Sequence, residues 1–543
     1  MMESRPYPQV ISRWLWSATV AALLLGGCGV GDEAAVERHS TLNRGTGAEP
    51  ESLDAHKART TEAGDVQRDL GEGLVGYLPT GELVAAAAES WEISADGREY
   101  TFRLRESARW SNGETVTADD FVYSFRRLVD PDTAAFYAQF IGDIVNAHDI
   151  TSGEKQPDEL AVRATGQFEL VITLRNPVPY FLQLLTHPAT FPVHRASIEA
   201  HGDAHALPEN LVTNGAYKLQ AWTVGSYIEL VRNEHYWNDA ATAIDKVRHH
   251  VTPQPQAELN RYRAGELDTT SNVAAESFAQ MREERADELR VSPALATYYY
   301  GFNLSQPPFA DNPQLRAALS MAIDREIIAE AIVGRGELPA YGFVPPGVNN
   351  YSPRELSYAD LSVEERNAKA RELYREAGYS ADEPLEVELR YNTSESHKRI
   401  AVAVQAMWQE VLGVKTTLIN EEFQVLLSNV RAAEITQVFR MTWTGDYSDA
   451  HTFLTVLESD NPSNMPGFRN AEYAELMQRA ALQTDMSRRQ IYLEEAERLM
   501  LAEHPIIPLY FLVNKSMVSP RVAGWGDNVL NYHYSQHLSL VEK

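Results

Sequence analysis

The one long apolar run in this chain stands at its start, and it decides where everything after it must fold. Residues 14–25 (WLWSATVAALLL) follow Arg5 and Arg13 and lead into Gly26-Gly27-Cys28. Those 12 residues are too few for a bilayer-spanning helix, which needs about 20, and suit the apolar segment of an export signal, which runs about 7 to 15. Residues 1–27 are therefore expected to be a removable signal peptide. The rest is expected to reside in the periplasm or cell envelope without spanning a membrane. Small residues ahead of a cysteine at the cut point make Cys28 the expected lipidation site, so the membrane attachment would be a lipid anchor only. Cys28 is also the sole cysteine. No intrachain disulfide, Cys-rich zinc site or Fe–S cluster can form, and the fold must be held by ordinary packing. The small, polar residues 28–50 read as a flexible tether.

The chain's 543 residues, at about 150 per domain, leave room for three or four compact units. Its charge is lopsided, with 48 Lys plus Arg against 76 Asp plus Glu and a formal net of −28. Such a surface repels phosphate backbones, which excludes nucleic acid as a partner. Local patterns alternate between strand and helix. Trp91 and Ile93, then Tyr100, Phe102 and Leu104, alternate with polar residues around Asp96-Gly97, which predicts a hairpin. Thr117 precedes the helical pattern Phe121, Val122, Phe125, Leu128, and Pro131 ends it, as in a capped helix. Further strands are predicted at 168–174, 227–231, 385–391, 414–419 and 437–443, and helices near 313–332 and 363–377. Another helix carries Ala401, Val404, Trp408 and Val411 on one face and stops at Gly413. Strands separated by helices predict an α/β fold, a sheet covered by helices.

Motifs for chemistry find little support. Gly71-Glu72-Gly73-Leu74-Val75-Gly76 has the glycine spacing of a dinucleotide loop, but residues 59–70 (RTTEAGDVQRDL) are not strand-like, and that loop needs a preceding buried strand. His201 and His205 have metal-pair spacing, yet the intervening Gly202-Asp203-Ala204 weakens a helix and no third ligand is indicated, so a solvated loop is the better reading. Neither G-x-S-x-G, H-E-x-x-H nor a P-loop occurs, so no catalytic, metal or cofactor site is expected. Aromatic residues are the stronger clue. Tyr298-Tyr299-Tyr300, Trp443, Tyr447 and Tyr510-Phe511 are placed at strand-to-loop positions, where rigid amphipathic rings suit a ligand cleft. The strand expected at 437–443 is broken by Gly445, which puts Asp446 just past a carboxyl end, the place where open α/β sheets bind ligands. By itself, Gly-Asp after a strand is as readily a turn capped by its own side chain.

Longer motifs carry a resemblance. The run Glu89-Ser90-Trp91-Glu92-Ile93, Tyr100 to Arg105, Ala108-Arg109-Trp110-Ser111-Asn112-Gly113 and Val116 to Ser124 is similar to the signature of bacterial extracellular solute-binding proteins of the peptide/nickel class. The similarity continues through Thr213-Asn214-Gly215-Ala216-Tyr217-Lys218-Leu219, Asp324-Arg325, Leu338-Pro339-Ala340-Tyr341, Asn392-Thr393-Ser394 and Trp443-Thr444-Gly445-Asp446-Tyr447. It most resembles the members serving ATP-driven oligopeptide permeases. The resemblance implies a two-lobed periplasmic-binding-protein fold with an extra inserted domain, closing by hinge motion around an inter-lobe cleft. Lobe I would comprise residues 51–71, 196–295 and 514–543, the inserted domain 72–195, and lobe II 296–513. The implied partners are short peptides, bound extended with little side-chain selectivity, and the permease membrane subunits; a monomer without cofactor or enzymatic activity is expected. Other ligands known on this fold, a nickel complex, haem or an oligosaccharide, are alternatives, and a secreted hydrolase is a more distant one.

Residue by residue, Asp446 matches the acid that pairs with the peptide's α-ammonium. Arg440 and His397 match cationic residues that meet peptide carboxylates, and Arg431 matches another with a one-residue shift. Trp443 and Phe423 match aromatics that line side-chain pockets, while Tyr299, Ser271 and Asn272 fall at or beside cleft positions. Ala296 and Thr444 stand where the family's best-known member has a disulfide, Val333 replaces a lysine at the ligand's carboxyl end, and Leu512 replaces a cleft tyrosine. These departures bear on peptide length and the carboxyl-end clamp.

Overall fold

Three β-sheets, each with its own apolar core, organise the chain in this computed structural model, which describes residues 40–433 and 437–541. The expected signal peptide and the lipidation site Cys28 lie outside the described residues. The first sheet runs in the order Thr41–Gly45, Lys246–His250, Tyr227–Arg232, Tyr217–Thr223, with its first pair parallel and the others antiparallel. Leu42, Tyr217, Leu230 and Val247 fill its core. The tether expected at 28–50 therefore ends earlier: Thr41–Gly45 is a paired strand with Leu42 fully buried. Only its long-range partner reveals it, since one leucine among polar neighbours carries no strand pattern.

The second sheet is antiparallel, in the order Ala88–Ile93, Glu99–Leu104, Glu169–Thr173, Val162–Gly166. Its first hairpin turns at Asp96-Gly97, where Gly97 has φ +70°, a backbone that a Cβ disfavours. Helix Ala118–Val129 covers this sheet with Phe121, Phe125 and Leu128. Thr117 caps it, its backbone N–H donating to Asp120 Oδ2 at 2.8 Å, and Pro131 follows its end.

The third sheet has six strands in the order Leu338–Pro339, Ile506–Met517, Leu289–Phe302, Val438–Thr444, Glu386–Asn392, Lys415–Glu421. Its last three are mutually parallel. Helix Glu395–Leu412 crosses from the fifth strand of that order to the sixth, buries Ala401, Val404 and Trp408, and closes on Gly413 at φ +76°. Helix Phe423–Ala432 makes the return. Two long strands run beyond the sheet: residues 289–293 pair with 513–517, residues 297–301 pair with 506–511, and the register shifts between Pro293 and Thr297. An isolated bridge joins Thr269 to Val518 just past this ladder, and another joins Thr269 to Arg44 of the first sheet.

Two local readings are corrected. The helix expected near 313–332 is two pieces, α-helix Pro313–Met321 and a π-helical segment Ile327–Val333. Between them Arg325 is fully buried, and its guanidinium donates to the carbonyls of Ser320, Ala340 and Pro508. His205 is not solvated: it is buried with Nε2 3.2 Å from Asp54 Oδ2, and Asp54 also accepts from both Nη atoms of Arg127. The glycines at 71–76 follow a helix, Thr61–Leu70, rather than a strand. Among the described residues no helix is long and apolar enough to cross a membrane.

Candidate binding site

The carboxyl ends of the three parallel strands share one edge of the third sheet, and the chain leaving them carries most of the expected site residues. Asn392 closes its strand and His397 lies in the first turn of the helix after it; Phe423 opens the next helix; Arg440 and Trp443 lie on the third strand, with Asp446 just beyond its end. Tyr298, on the neighbouring antiparallel strand, ties them together. Its hydroxyl is 3.3 Å from His397 Nδ1, its ring stacks on Tyr510 at 4.7 Å, and the Arg440 guanidinium lies 4.6 Å over it. Arg440 also donates to Asn392 Oδ1 at 3.2 Å and to the Thr442 hydroxyl, while its Nε has no partner among the described residues.

Electrostatics sort these groups. Burial, and then the Arg440 charge, push His397 down to about 4, so it is neutral at pH 7. Burial raises the Tyr298 hydroxyl to about 12, which keeps it a donor. The positive charge of the cluster thus belongs to Arg440, whose planar fork suits a carboxylate.

Asp446 sits on a loop that the structure holds firmly. Its backbone N–H donates to Thr452 Oγ1 at 3.2 Å, Gly445 N–H to Leu295 O at 2.8 Å, and Trp443 Nε1 to Thr452 O at 2.7 Å. A Cβ on Gly445 would meet Thr452 Cγ2 at 2.7 Å and Leu295 at 2.9 Å, so close approach demands glycine there. Farther along, Asp449 accepts from both Nη atoms of Arg489, at 2.7 and 2.8 Å, in a buried bidentate pair. The Asp446 side chain itself is exposed and makes no hydrogen bond or ion pair among the described residues. The protein around it still raises its carboxyl above the ordinary range by desolvation. After burial, its charge contributes to raising the Tyr137 hydroxyl, on a segment packed with the second sheet. Tyr137 packs on His187, ring centroids 4.4 Å apart, and donates to Arg59 O at 3.0 Å.

The remaining expected residues lie apart from this cluster. Tyr299 points to the opposite face from Tyr298, is buried, and packs edge-on against Phe343. The three consecutive tyrosines are thus mid-strand core residues, not strand-end rings. Ser271 donates from its hydroxyl and its N–H to the buried Glu258, and Asn272 Oδ1 accepts from Val273 N–H. Arg431 and Phe423 are exposed at opposite ends of helix Phe423–Ala432. Ala296 and Thr444 are direct register partners, and neither can cross-link. Tyr298, Tyr137 and His187 are residues that sequence reasoning did not single out individually. Only the alternation of faces along Leu289–Phe302 could have separated Tyr298 from Tyr299.

Comparison with known proteins agrees with this architecture. The model of "Bacterial extracellular solute-binding proteins, family 5 Middle" matches residues 82–465. The periplasmic oligopeptide-binding protein OppA of Escherichia coli K12 is 37% identical over 542 residues, 98% of this chain and 99% of that protein. Among solved structures, the unliganded open form of the periplasmic murein tripeptide-binding protein MppA superposes with a TM-score of 0.89 at 37% identity, covering 93% of this chain and 98% of that one. The Haemophilus influenzae OppA complex with the peptide RPPGFSPFR gives a TM-score of 0.69 at 36% identity, covering 93% of this chain and 100% of that one.

Proposed function

Since the chain belongs to the bacterial extracellular solute-binding proteins of family 5, with their two-lobed α/β fold, we propose that it is the substrate-binding component of an ATP-driven importer that captures short oligopeptides and delivers them to a membrane permease. Members of the family are binding proteins, and we read this chain as a receptor with no reaction of its own. The observation that carries the peptide reading is the Asp446 carboxylate, unpaired among the described residues and raised by desolvation, on a loop clamped by the Asp449–Arg489 pair. A carboxylate left partly desolvated without a counterion is poised for a cation, and the α-ammonium of a peptide supplies one together with hydrogen-bond donors. Arg440 offers a charge of the opposite sign on the same strand end, suited to a peptide carboxylate. His397 assists as a neutral hydrogen-bonding group, Trp443 and Phe423 line side-chain space, and Arg431 serves longer peptides. Tyr299 acts through the packing behind Tyr298, and Ser271 and Asn272 border the cleft.

In this reading lobe I is 51–71, 196–295 and 514–543, the inserted domain is 72–195, and lobe II is 296–513. The hinge lies in the long strands Leu289–Phe302 and Ile506–Met517, where the register shift at Pro293 to Thr297 interrupts the ladder. Closure buries the peptide between lobes, and the permease reads the closed form. Lipidated Cys28 tethers a monomer to the membrane on the periplasmic side. Titration calorimetry with a tripeptide and its N-acetylated counterpart tests the central claim. A charge-assisted hydrogen bond contributes about 1.5–3 kcal/mol, so acetylation and Asp446→Ala should each cost at least tenfold in affinity. Equal binding of the two peptides would refute the amino-end role.

A further inference from the structure

One cavity lies apart from the proposed peptide site. It has a volume of about 570 Å³ and lies between the second sheet with its 177–183 segment on one side and residues 349–350, 484 and 486 on the other. Its wall is mostly apolar, with Leu83, Tyr100, Val178, Leu182 and Met486 facing one another. Glu82 is the single charged residue of the lining, it is exposed, and its carboxylate makes no hydrogen bond or ion pair among the described residues. Gln183 in the wall is buried, and its Oε1 has no hydrogen-bond partner among the described residues. An apolar chamber of this size fits a small organic ligand, and its one charged group, the unpaired Glu82 carboxylate, complements an ammonium group.

The chamber is also joined to the peptide site. Gln183 Nε2 donates to Ser448 O at 3.5 Å and Asn349 N–H to Ser448 Oγ at 3.2 Å, two residues past Asp446. Tyr180, at the start of the same wall, stacks on Tyr447 at 4.5 Å. The two walls nearly touch at the rim, where a Cβ on Gly97 would meet Thr484 Cγ2 at 2.8 Å. In the domain division proposed above, those walls belong to the inserted domain and lobe II, the two bodies that move against each other on closure.

We propose that this chamber is a second ligand site, for a small molecule with an apolar body and one ammonium group, and that filling it holds the lobes apart and so opposes peptide capture. The site itself stands on the cavity and the unpaired Glu82 carboxylate in its lining; the antagonism rests on the peptide-receptor reading. The sign follows from the arrangement in which the chamber is seen, which resembles the unliganded open form of a relative. A ligand that bridges both walls there binds that arrangement better than the closed one, and linkage requires peptide and ligand to weaken each other by the same factor.

The probe is 2-naphthylmethylamine, with 2-naphthylacetate as its charge-reversed counterpart, titrated into the full mature protein by calorimetry. Saturable binding of the amine to peptide-free protein is expected. It should be at least fivefold weaker for the acetate and for the variants Glu82→Gln and Thr484→Lys; Glu82→Gln leaves peptide affinity unchanged when no probe is present. It should survive Asp446→Ala intact, and a saturating dose should raise the peptide Kd at least threefold in the unaltered protein. No saturable binding up to millimolar amine would overturn the site. So would binding indifferent to Glu82→Gln and Thr484→Lys, or binding abolished by Asp446→Ala, which would place the amine in the peptide cleft. If the amine binds as described but no peptide does, the receptor reading fails and the chamber stands. If the amine binds as described and leaves the peptide Kd unchanged, the antagonism is overturned.

Discussion

At the scale of single residues, Asp446 joins two demands that pull against each other. Its carboxyl is raised by desolvation from the protein around it, so the folded, peptide-free state holds a proton more readily than the unfolded chain does. A folded pKa above the unfolded one makes the charge a cost at neutral pH that vanishes as pH falls. Asp446→Asn is therefore expected to raise the melting temperature slightly, while peptide affinity falls at least tenfold; scanning calorimetry and titration calorimetry on the same sample check both. An ammonium favours the ionised carboxylate, so affinity for a free-amine peptide should decline on acidification starting above the ordinary aspartate range, and the Asn variant should lack that decline. His397, pushed down to about 4, adds nothing to that profile between pH 5 and 8. Asp449 belongs to the same loop in another role. Its pairing with Arg489 is buried on both sides, and removing one partner of such a pair costs about 3–5 kcal/mol. Chemical denaturation of Asp449→Ala should show that loss.

At the scale of elements, much of the local structure was legible because short-range rules governed it. Asp96-Gly97 turns a hairpin since only a residue free of Cβ crowding takes φ +70° easily. Thr117 with Asp120 caps a helix whose Phe121, Phe125 and Leu128 face the sheet. Gly413 ends its helix at φ +76°, and no atom lies within 4 Å of where its Cβ would stand. The cost of Gly413→Ala is then conformational alone, about 1 kcal/mol, to be read from a denaturant midpoint with unchanged slope. Elsewhere distant partners overrode local pattern. The apolar run from Pro313 to Ile332 reads as one helix, but buried Arg325 reaches the carbonyls of Ala340 and Pro508 and the backbone breaks around it. Tyr298 and Tyr299 are chemically identical neighbours, and only the pleat assigns one to the Arg440 cluster and the other to the core.

At the scale of the whole molecule, seven histidines among the described residues are kept neutral mainly by burial, His56, His187, His504 and His533 near 3 and His250, His397 and His451 near 4. Depressed folded values mean that the unfolded chain binds more protons below pH 6.5, so the stability they confer is present above that pH and is lost as pH falls toward those values. Glu72, raised to about 7 by burial, works in the opposite direction over the same range. The melting temperature is expected to drop between pH 7 and pH 5, and a flat profile would contradict the neutral-histidine account. The sequence by itself determined the reliance on packing without disulfides, the α/β alternation and, through its motifs, the family, because each is written in residues close together along the chain. Only the tertiary structure decided that Thr41–Gly45 is a sheet strand, that Tyr298 rather than Tyr299 holds Arg440 and His397, that the charge of Asp446 reaches Tyr137, and that a mostly apolar chamber adjoins its loop. Those outcomes depend on contacts between segments tens to hundreds of residues apart, which no local periodicity encodes.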